Sequence, residues 1–91
     1  MAEFLVELYV SNARAERVDA ETRRARMAAE ELTREGLPVS YERSLFVPED
    51  ETCFYVYEAE SAEVVRCAVA RAGLRCERVA EVVTQSRGEE R

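Results

Sequence analysis

The chain has 91 residues, a length that suits one small domain with a single core. Hydrophobic residues make up 47% of it and charged residues 35%, which is the balance of a folded globular protein and not of a disordered tail. The formal net charge of -6 argues against tight nonspecific binding to nucleic acid or to an anionic membrane, because both partners need a basic surface.

The apolar runs and the cysteines indicate the cellular compartment of the protein. No apolar run reaches the roughly 20 residues that span a bilayer, and the acidic start MAEFLVELYV lacks the basic region of a secretory signal. Cys53, Cys67 and Cys76 are odd in number and lack Cys-x-x-Cys spacing, so neither a disulfide framework nor a structural zinc site is indicated. We therefore expect a cytoplasmic protein with no membrane partner, no nucleic-acid partner, no cofactor and no metal.

The first half of the chain predicts a strand and a helix. Apolar side chains alternate with a mixed row over residues 3–10, which indicates a strand, and a polar loop over residues 11–17 follows. Asp19 is the expected cap of a helix that runs to about Glu35 and stops at Gly36. The expected buried stripe of this helix consists of Ala25, Ala28, Ala29 and Leu32.

The second half predicts a hairpin, a short helix and a last strand. Alternation over residues 39–47 and the β-prone run 52–57 indicate two strands, joined by a turn at residues 48–51. Ser61 is the expected cap of the second helix, which ends at Gly73, and residues 76–83 form the fourth strand. We predict an α+β domain over residues 1–83 and a flexible tail over residues 84–91.

This βαββαβ order is typical of a ferredoxin-like sandwich, in which both helices cover one face of an antiparallel sheet. Every strand supplies apolar or aromatic residues to both faces, so a monomer would leave a large apolar patch in water. We therefore expect a homodimer, or a higher homo-oligomer, that pairs through the uncovered face.

The candidate site follows from the same alternation of side chains between the two faces of the strands. The sequence holds no histidine, no phosphate-binding loop and no Gly-x-Ser-x-Gly motif, which excludes histidine-based triads. Polar and aromatic residues on the strands are instead expected to line an amphipathic cavity on the uncovered face, suited to a small organic ligand. Glu7 is the candidate acid or base, and the candidate ligand-binding residues are Tyr9, Tyr41, Arg43, Tyr55, Tyr57 and Glu81. The alternative is that these side chains only pack and pair within an oligomer interface.

Short motifs carry a family resemblance. They are Phe4-Leu5-Val6-Glu7, Phe54-Tyr55-Val56-Tyr57-Glu58-Ala59, Arg66 with Ala70-Arg71-Ala72-Gly73-Leu74, and Val79-Ala80-Glu81-Val82. Together they resemble the small nickel-binding-protein-like family of actinobacteria, a domain of unknown function. The resemblance implies a ferredoxin-like fold that dimerises through its sheets, with Glu7 and Glu81 as cavity residues. Relatives carry histidine where this chain has Arg43 and Ala68, and often cysteine at Tyr55, so the chain departs from the family's nickel ligands.

Three functions follow from these observations. The first is a small dimeric ligand-binding protein or tailoring enzyme that uses the cavity on the sheet face. The second is a divalent metal-binding protein of the nickel type, as the resemblance implies. The third is a noncatalytic oligomeric interaction module whose sheet face is only an interface. Whether the chain is an enzyme stays open at this stage.

Overall fold

The computed structural model describes residues 1–9 and 18–83 of the chain. Four strands and two helices follow the predicted βαββαβ order, with a short 3-10 turn in the hairpin. Their bounds are β1 Ala2–Tyr9, α1 Val18–Arg34, β2 Val39–Val47, the 3-10 turn Pro48–Asp50, β3 Thr52–Ala59, α2 Ala62–Arg71 and β4 Arg78–Val82. The predicted loop at residues 11–17 and the predicted tail at residues 84–91 lie outside the described residues.

The strands form one four-stranded sheet in the order β2-β3-β1-β4, and every neighbouring pair is antiparallel. Each helix connects two strands that are not neighbours, because α1 carries the chain from β1 to β2 across β3, and α2 carries it from β3 to β4 across β1. This topology is that of a ferredoxin-like fold and confirms the predicted fold class.

The core lies between the helices and one face of the sheet. The inward row of β1 is buried, as is every second residue of β3, with between 0% and 5% of each side chain exposed. The helix residues that meet them are small, so the helices lie close to the sheet. The cluster includes Phe4, Val6, Leu8, Cys53, Tyr55 and Tyr57 from the sheet and Ala25, Ala29, Leu32, Val65, Ala68 and Val69 from the helices.

Both helices end at a glycine in the left-handed region. Gly36 has a φ of 103° and Gly73 a φ of 75°, values that residues with a Cβ rarely adopt. The backbone N–H of the next residue then bonds five residues back, from Leu37 to Leu32 and from Leu74 to Val69. Ser61 caps α2 as predicted, with its hydroxyl accepting the N–H of Val64 at 3.4 Å. None of the described helices has the length and apolar character needed to cross a membrane.

Several predicted boundaries differ from the structure by one or two residues. Asp19 was expected as the cap of α1 but lies inside its first turn, where its carboxylate faces the positive end of the helix. The fourth strand begins at Arg78 and not at residue 76, because the pairing with β1 starts at Glu7 opposite Arg78.

Several residues that were predicted on the uncovered face of the sheet lie on the helix side instead. Partners across antiparallel strands share a face. Tyr55 lies opposite Val6, Tyr57 opposite Phe4, and both tyrosines are buried under the helices. Glu81 also pairs with Phe4 and so lies on the helix side, at the exposed edge. The prediction that these three residues line the uncovered face is therefore wrong.

An irregularity in β2 accounts for a fourth misplaced residue. The pairing with β3 shifts between Tyr41, which lies opposite Tyr57, and Arg43, which lies opposite Val56. The shift inserts one residue, so Tyr41 faces the helices whereas Arg43 faces outward. Tyr41 was predicted on the uncovered face, and this placement is wrong. Arg43 was predicted on the same face, and its placement is correct. The two differ because the inserted residue reverses the alternation of side chains partway along β2.

Candidate functional site

The uncovered side of the sheet, here called the outer face, has an apolar centre. Leu5, Phe54 and Val56 lie side by side on β1 and β3; Val56 is buried, whereas Leu5 and Phe54 are partly exposed. Leu45 of β2 extends the apolar area beside Phe54 and is 49% exposed. An apolar area that is partly open to water and that no helix of the described residues covers is typical of a surface that another molecule covers.

Charged side chains of both signs surround that centre. Each of the acidic residues lies on the outer row of β1 or β3, and the basic residues lie on the two edge strands. The acidic residues are Glu3, Glu7 and Glu58, and the basic residues are Arg43 and Arg78. A surface with both signs of charge can pair with the same surface of a second copy, because a two-fold rotation can place the basic residues of one copy beside the acidic residues of the other.

Glu7 pairs with Arg78 and not with Arg43. The Nε of Arg78 lies 3.3 Å from Oε1 of Glu7, and the two side chains are 65% and 34% exposed. Arg43 lies two strands away from Glu7, on β2, and one step further along the outer row, whereas Arg78 lies directly opposite Glu7. The partner that was missed, Arg78, is recognisable only when the register of β4 on β1 is known.

A pocket of about 300 Å³ lies at the end of β1. Its lining includes two carboxylates and two hydroxyls, from Glu7, Tyr9, Thr52 and Glu77. The N–H of Glu77 donates to the carbonyl oxygen of Glu7 at 2.6 Å, which fixes the two acidic residues relative to each other. The Tyr9 hydroxyl donates to Oε1 of Glu51 at 2.9 Å, and this bond to a carboxylate raises the pKa of Tyr9. The pocket therefore presents mostly hydrogen-bond acceptors.

The other predicted aromatic residues form a cluster on the helix side. Tyr41 packs edge-on against Tyr55 and Tyr57, with ring centroids 5.7 and 5.8 Å apart. The guanidinium of Arg26 from α1 lies over the Tyr41 ring, 5.6 Å from its centroid. The structure thus brings these three tyrosines together, but on the opposite side of the sheet from Glu7, Tyr9 and Arg43.

Burial opposes ionisation of Tyr55, Tyr57 and the adjacent Cys53 thiol, and raises the pKa of each. Burial raises the pKa of Tyr55 to about 12, against a smaller opposing effect of a hydrogen bond with the Thr22 side chain. Burial also raises the pKa of Tyr57, whose hydroxyl has no hydrogen-bond partner within the described residues. The pKa of the Cys53 thiol is raised to about 11 by burial, so this cysteine is a core residue and a poor nucleophile at neutral pH.

The donor set of the chain does not fit a nickel site of the imidazole type. The sequence contains no histidine. Over residues 1–9 and 18–83, no three carboxylates or cysteines come close enough together to hold a metal ion. Carboxylates alone suit harder cations than nickel, so these residues do not supply the ligands that such a site needs.

The fold and the outer face define the chain as a small ferredoxin-like α+β domain with one uncovered sheet face. It belongs to the family described as nickel responsive protein SCO4226-like, whose model matches residues 4–82. The resemblance noted in the sequence is thereby confirmed. The crystal structure of SCO4226 from Streptomyces coelicolor A3(2) is similar, with a TM-score of 0.68 and 21% identity over 93% of this chain and 100% of that one. At this identity the likeness shows the fold alone. A search of curated proteins gives no match.

Proposed function

We propose that the chain is a homodimeric binding protein whose two copies meet through their outer faces. The observation that carries the proposal is the partly exposed apolar area of Leu5, Phe54 and Leu45 on the outer face, which no helix of the described residues covers. In the dimer, the pocket beside Glu7 and Tyr9 lies at the margin of the interface and accepts a small organic ligand.

A second copy is the occupant that the chemistry of the face favours. Arg43 lies on an edge strand and projects from the outer face, so a partner copy can place it beside an acidic residue such as Glu7 or Glu58. Strands about 4.8 Å apart, three of about eight or nine residues and one of five, give a face of roughly 480 Å², and two such faces total roughly 950 Å². That area lies close to the roughly 1,000 Å² at the lower end for a specific interface.

The ligand of this dimer is expected to carry hydrogen-bond donors. Glu7 and Glu77 both line the pocket, and carboxylates accept hydrogen bonds but do not donate them when ionised. Tyr9 and Thr52 add hydroxyl groups whose protons are already donated, to Glu51 and to the carbonyl oxygen of Asp50, so their oxygens also accept. An amine or a hydroxylated organic molecule matches this lining better than an anion does. In this proposal Glu7 is a binding residue, oriented by its ion pair with Arg78.

Sedimentation velocity tests the dimer with a matched pair of variants. Leu45→Glu places a charge on the outer face at a side chain that is 49% exposed, and Met27→Glu places the same charge on α1 at a side chain that is 52% exposed. Because both positions are already half exposed, neither change should unfold the monomer. We expect wild type and Met27→Glu to sediment as dimers and Leu45→Glu as a monomer.

A wild-type chain that sediments as a monomer at high micromolar concentration would remove the proposal, as would a dimer unaffected by Leu45→Glu. The same runs with added nickel test the metal-responsive alternative that the family description raises. A dimer that forms only with nickel would favour that alternative over organic-ligand binding.

Amide spectra of the labelled protein test the ligand. A panel of small amines, alcohols, carboxylates and neutral amides is titrated while the signals of Glu7, Tyr9 and Thr52 are followed. We expect amines or alcohols to shift these signals in wild type and to lose the effect in Glu7→Gln. Shifts that persist in Glu7→Gln would show that this pocket does not use the carboxylate.

A further inference from the structure

A second cavity lies on the other side of the sheet, where α1 meets the edge strand β2. It is an open groove of about 560 Å³, a volume within the range of small-molecule sites. Its apolar lining includes Ala29 from α1 and Val39 and Tyr41 from β2, and its charged lining includes Arg26 and Arg34. Ser40 also lines it and lies on the outer row of β2, but Leu5, Phe54 and Leu45, on which the proposed dimer rests, do not line the groove.

Hydrogen bonds and ring contacts fix the walls of the groove. The Thr33 hydroxyl donates to the carbonyl oxygen of Val39 at 2.9 Å and accepts the N–H of the same residue at 3.1 Å, which ties α1 to the start of β2. Tyr41 is held edge-on by Tyr55 and Tyr57 beneath it. A cavity whose walls are already ordered requires little conformational entropy loss on binding, which favours affinity.

The charges of the groove favour an anion. Arg26 stacks over the Tyr41 ring, and within the described residues its guanidinium makes no ion pair. Arg34 lines the groove two turns further along α1, with Glu30 between them, so the three side chains sum to one positive charge. A guanidinium beside an aromatic ring can bind a carboxylate through two parallel hydrogen bonds while the ring packs against the apolar part of the ligand.

We propose that this groove binds a small organic carboxylate with an aromatic or other apolar body. The carboxylate pairs with Arg26, and the body packs against Ala29, Val39 and Tyr41. Glu30 opposes the anion and limits its affinity. The ligand class differs from that of the pocket beside Glu7, because the groove is proposed to bind an anion whereas that pocket presents acceptors and is proposed to bind an amine or a hydroxylated molecule.

Benzoate is a suitable probe, with benzamide and benzylamine as neutral and cationic analogues of the same ring. Because the chain has four tyrosines and no tryptophan, binding at Tyr41 is followed by tyrosine fluorescence and located by the amide signals of Ala29, Val39 and Tyr41. We expect benzoate to bind at least about tenfold more tightly than benzamide, which corresponds to about 1.4 kcal/mol for the charge-assisted contact.

Three variants separate this proposal from nonspecific attraction. Arg26→Gln is expected to weaken benzoate binding by about tenfold or more. Arg66→Gln, the same change on exposed α2, is expected to leave it unaltered. Glu30→Gln removes the opposing charge and is expected to tighten benzoate binding about two- to fivefold at low salt. Thermal unfolding of each variant checks that the fold is retained.

Four results of the binding measurements would each overturn the proposal. They are equal affinity for benzoate and benzamide, unchanged binding in folded Arg26→Gln, weaker binding in Glu30→Gln, and no saturation by benzoate up to about 10 mM. Shifts confined to Glu7, Tyr9 and Thr52 also contradict it, and they would support the pocket at the outer face instead. A monomeric protein that still binds benzoate in the groove would leave this inference standing while the proposed dimer fails.

Discussion

The two faces of the sheet are made from similar alternating residues, yet their side chains differ in how deeply they are buried. On the helix side, residues such as Val6 and Tyr57 are completely buried. On the outer face, Leu5 and Phe54 occupy neighbouring strand positions and remain partly exposed. The helices cover one face and not the other. Apolar burial in the described domain is therefore concentrated on the covered face, which we expect to supply most of its stability.

The largest expected effect separates the two faces with one substitution made twice. Leu8→Ala on the helix side removes a side chain that is 4% exposed and should lower the free energy of unfolding by about 2–5 kcal/mol. Leu45→Ala on the outer face removes a side chain that is 49% exposed. In the monomer, the loss in the free energy of unfolding should be much smaller than that of Leu8→Ala. Urea unfolding at low protein concentration measures both. Equal losses would show that the outer face is part of a second core.

Alkaline pH should destabilise the fold through the buried titratable groups of the helix side. The pKa of Cys53 is raised from 9.0 to about 11 and that of Tyr55 from 10.0 to about 12. Groups whose pKa is raised on folding contribute stability below the unfolded value, and this stability is lost as the pH rises through the folded value. The urea midpoint should therefore fall between about pH 9 and 12.

The composition makes this pH test unusually specific. All 13 basic side chains are arginine, so no lysine titrates in that window. Tyr57→Phe removes a buried phenol whose pKa is also raised, and it should make the fall less steep. A urea midpoint that is constant from pH 8 to about 11.5 would contradict the burial of these groups.

Two tyrosines of the covered face are expected to respond in opposite directions. Tyr57→Phe removes a buried hydroxyl that has no partner in the described part of the chain, and it should raise the free energy of unfolding by about 1 kcal/mol. Tyr55→Phe removes the hydroxyl that bonds to Thr22 and should lower it by about 1 kcal/mol. Thermal unfolding of both variants at pH 7 gives the comparison. The same sign for both would show that the Tyr57 hydroxyl has a partner.

Local patterns were sufficient for most of the fold. The bounds of β2, the Ser61 cap, the stripe of Ala25 and Leu32 and the stop signals at both glycines all follow from residue spacing and turn chemistry. These features depend on residues that are close in sequence, so they can be recognised without knowing the tertiary structure.

The candidate site could be predicted only in part, because it depends on register. Glu7, Tyr9 and Arg43 lie on the outer face as expected, but Tyr55 and Tyr57 continue the inward row of β3. A tyrosine fits either face of a sheet, since its ring is apolar and its hydroxyl polar. Only the pairing of Tyr55 with Val6 decides the matter, and no local pattern encodes that pairing.

The smallest expected effect lies on the outer face, at the ion pair of Glu7 with Arg78. In the monomeric Leu45→Glu background, Glu7→Gln should cost less than about 1 kcal/mol and its cost should diminish at high salt, because both side chains are partly exposed. In the wild-type dimer the same change would leave the Arg78 guanidinium at a desolvated interface without its carboxylate, so a larger cost is expected there. Urea unfolding at two salt concentrations, in both backgrounds, measures the difference. A cost that is the same in both backgrounds would place Glu7 outside the interface and separate the pocket beside it from the dimer.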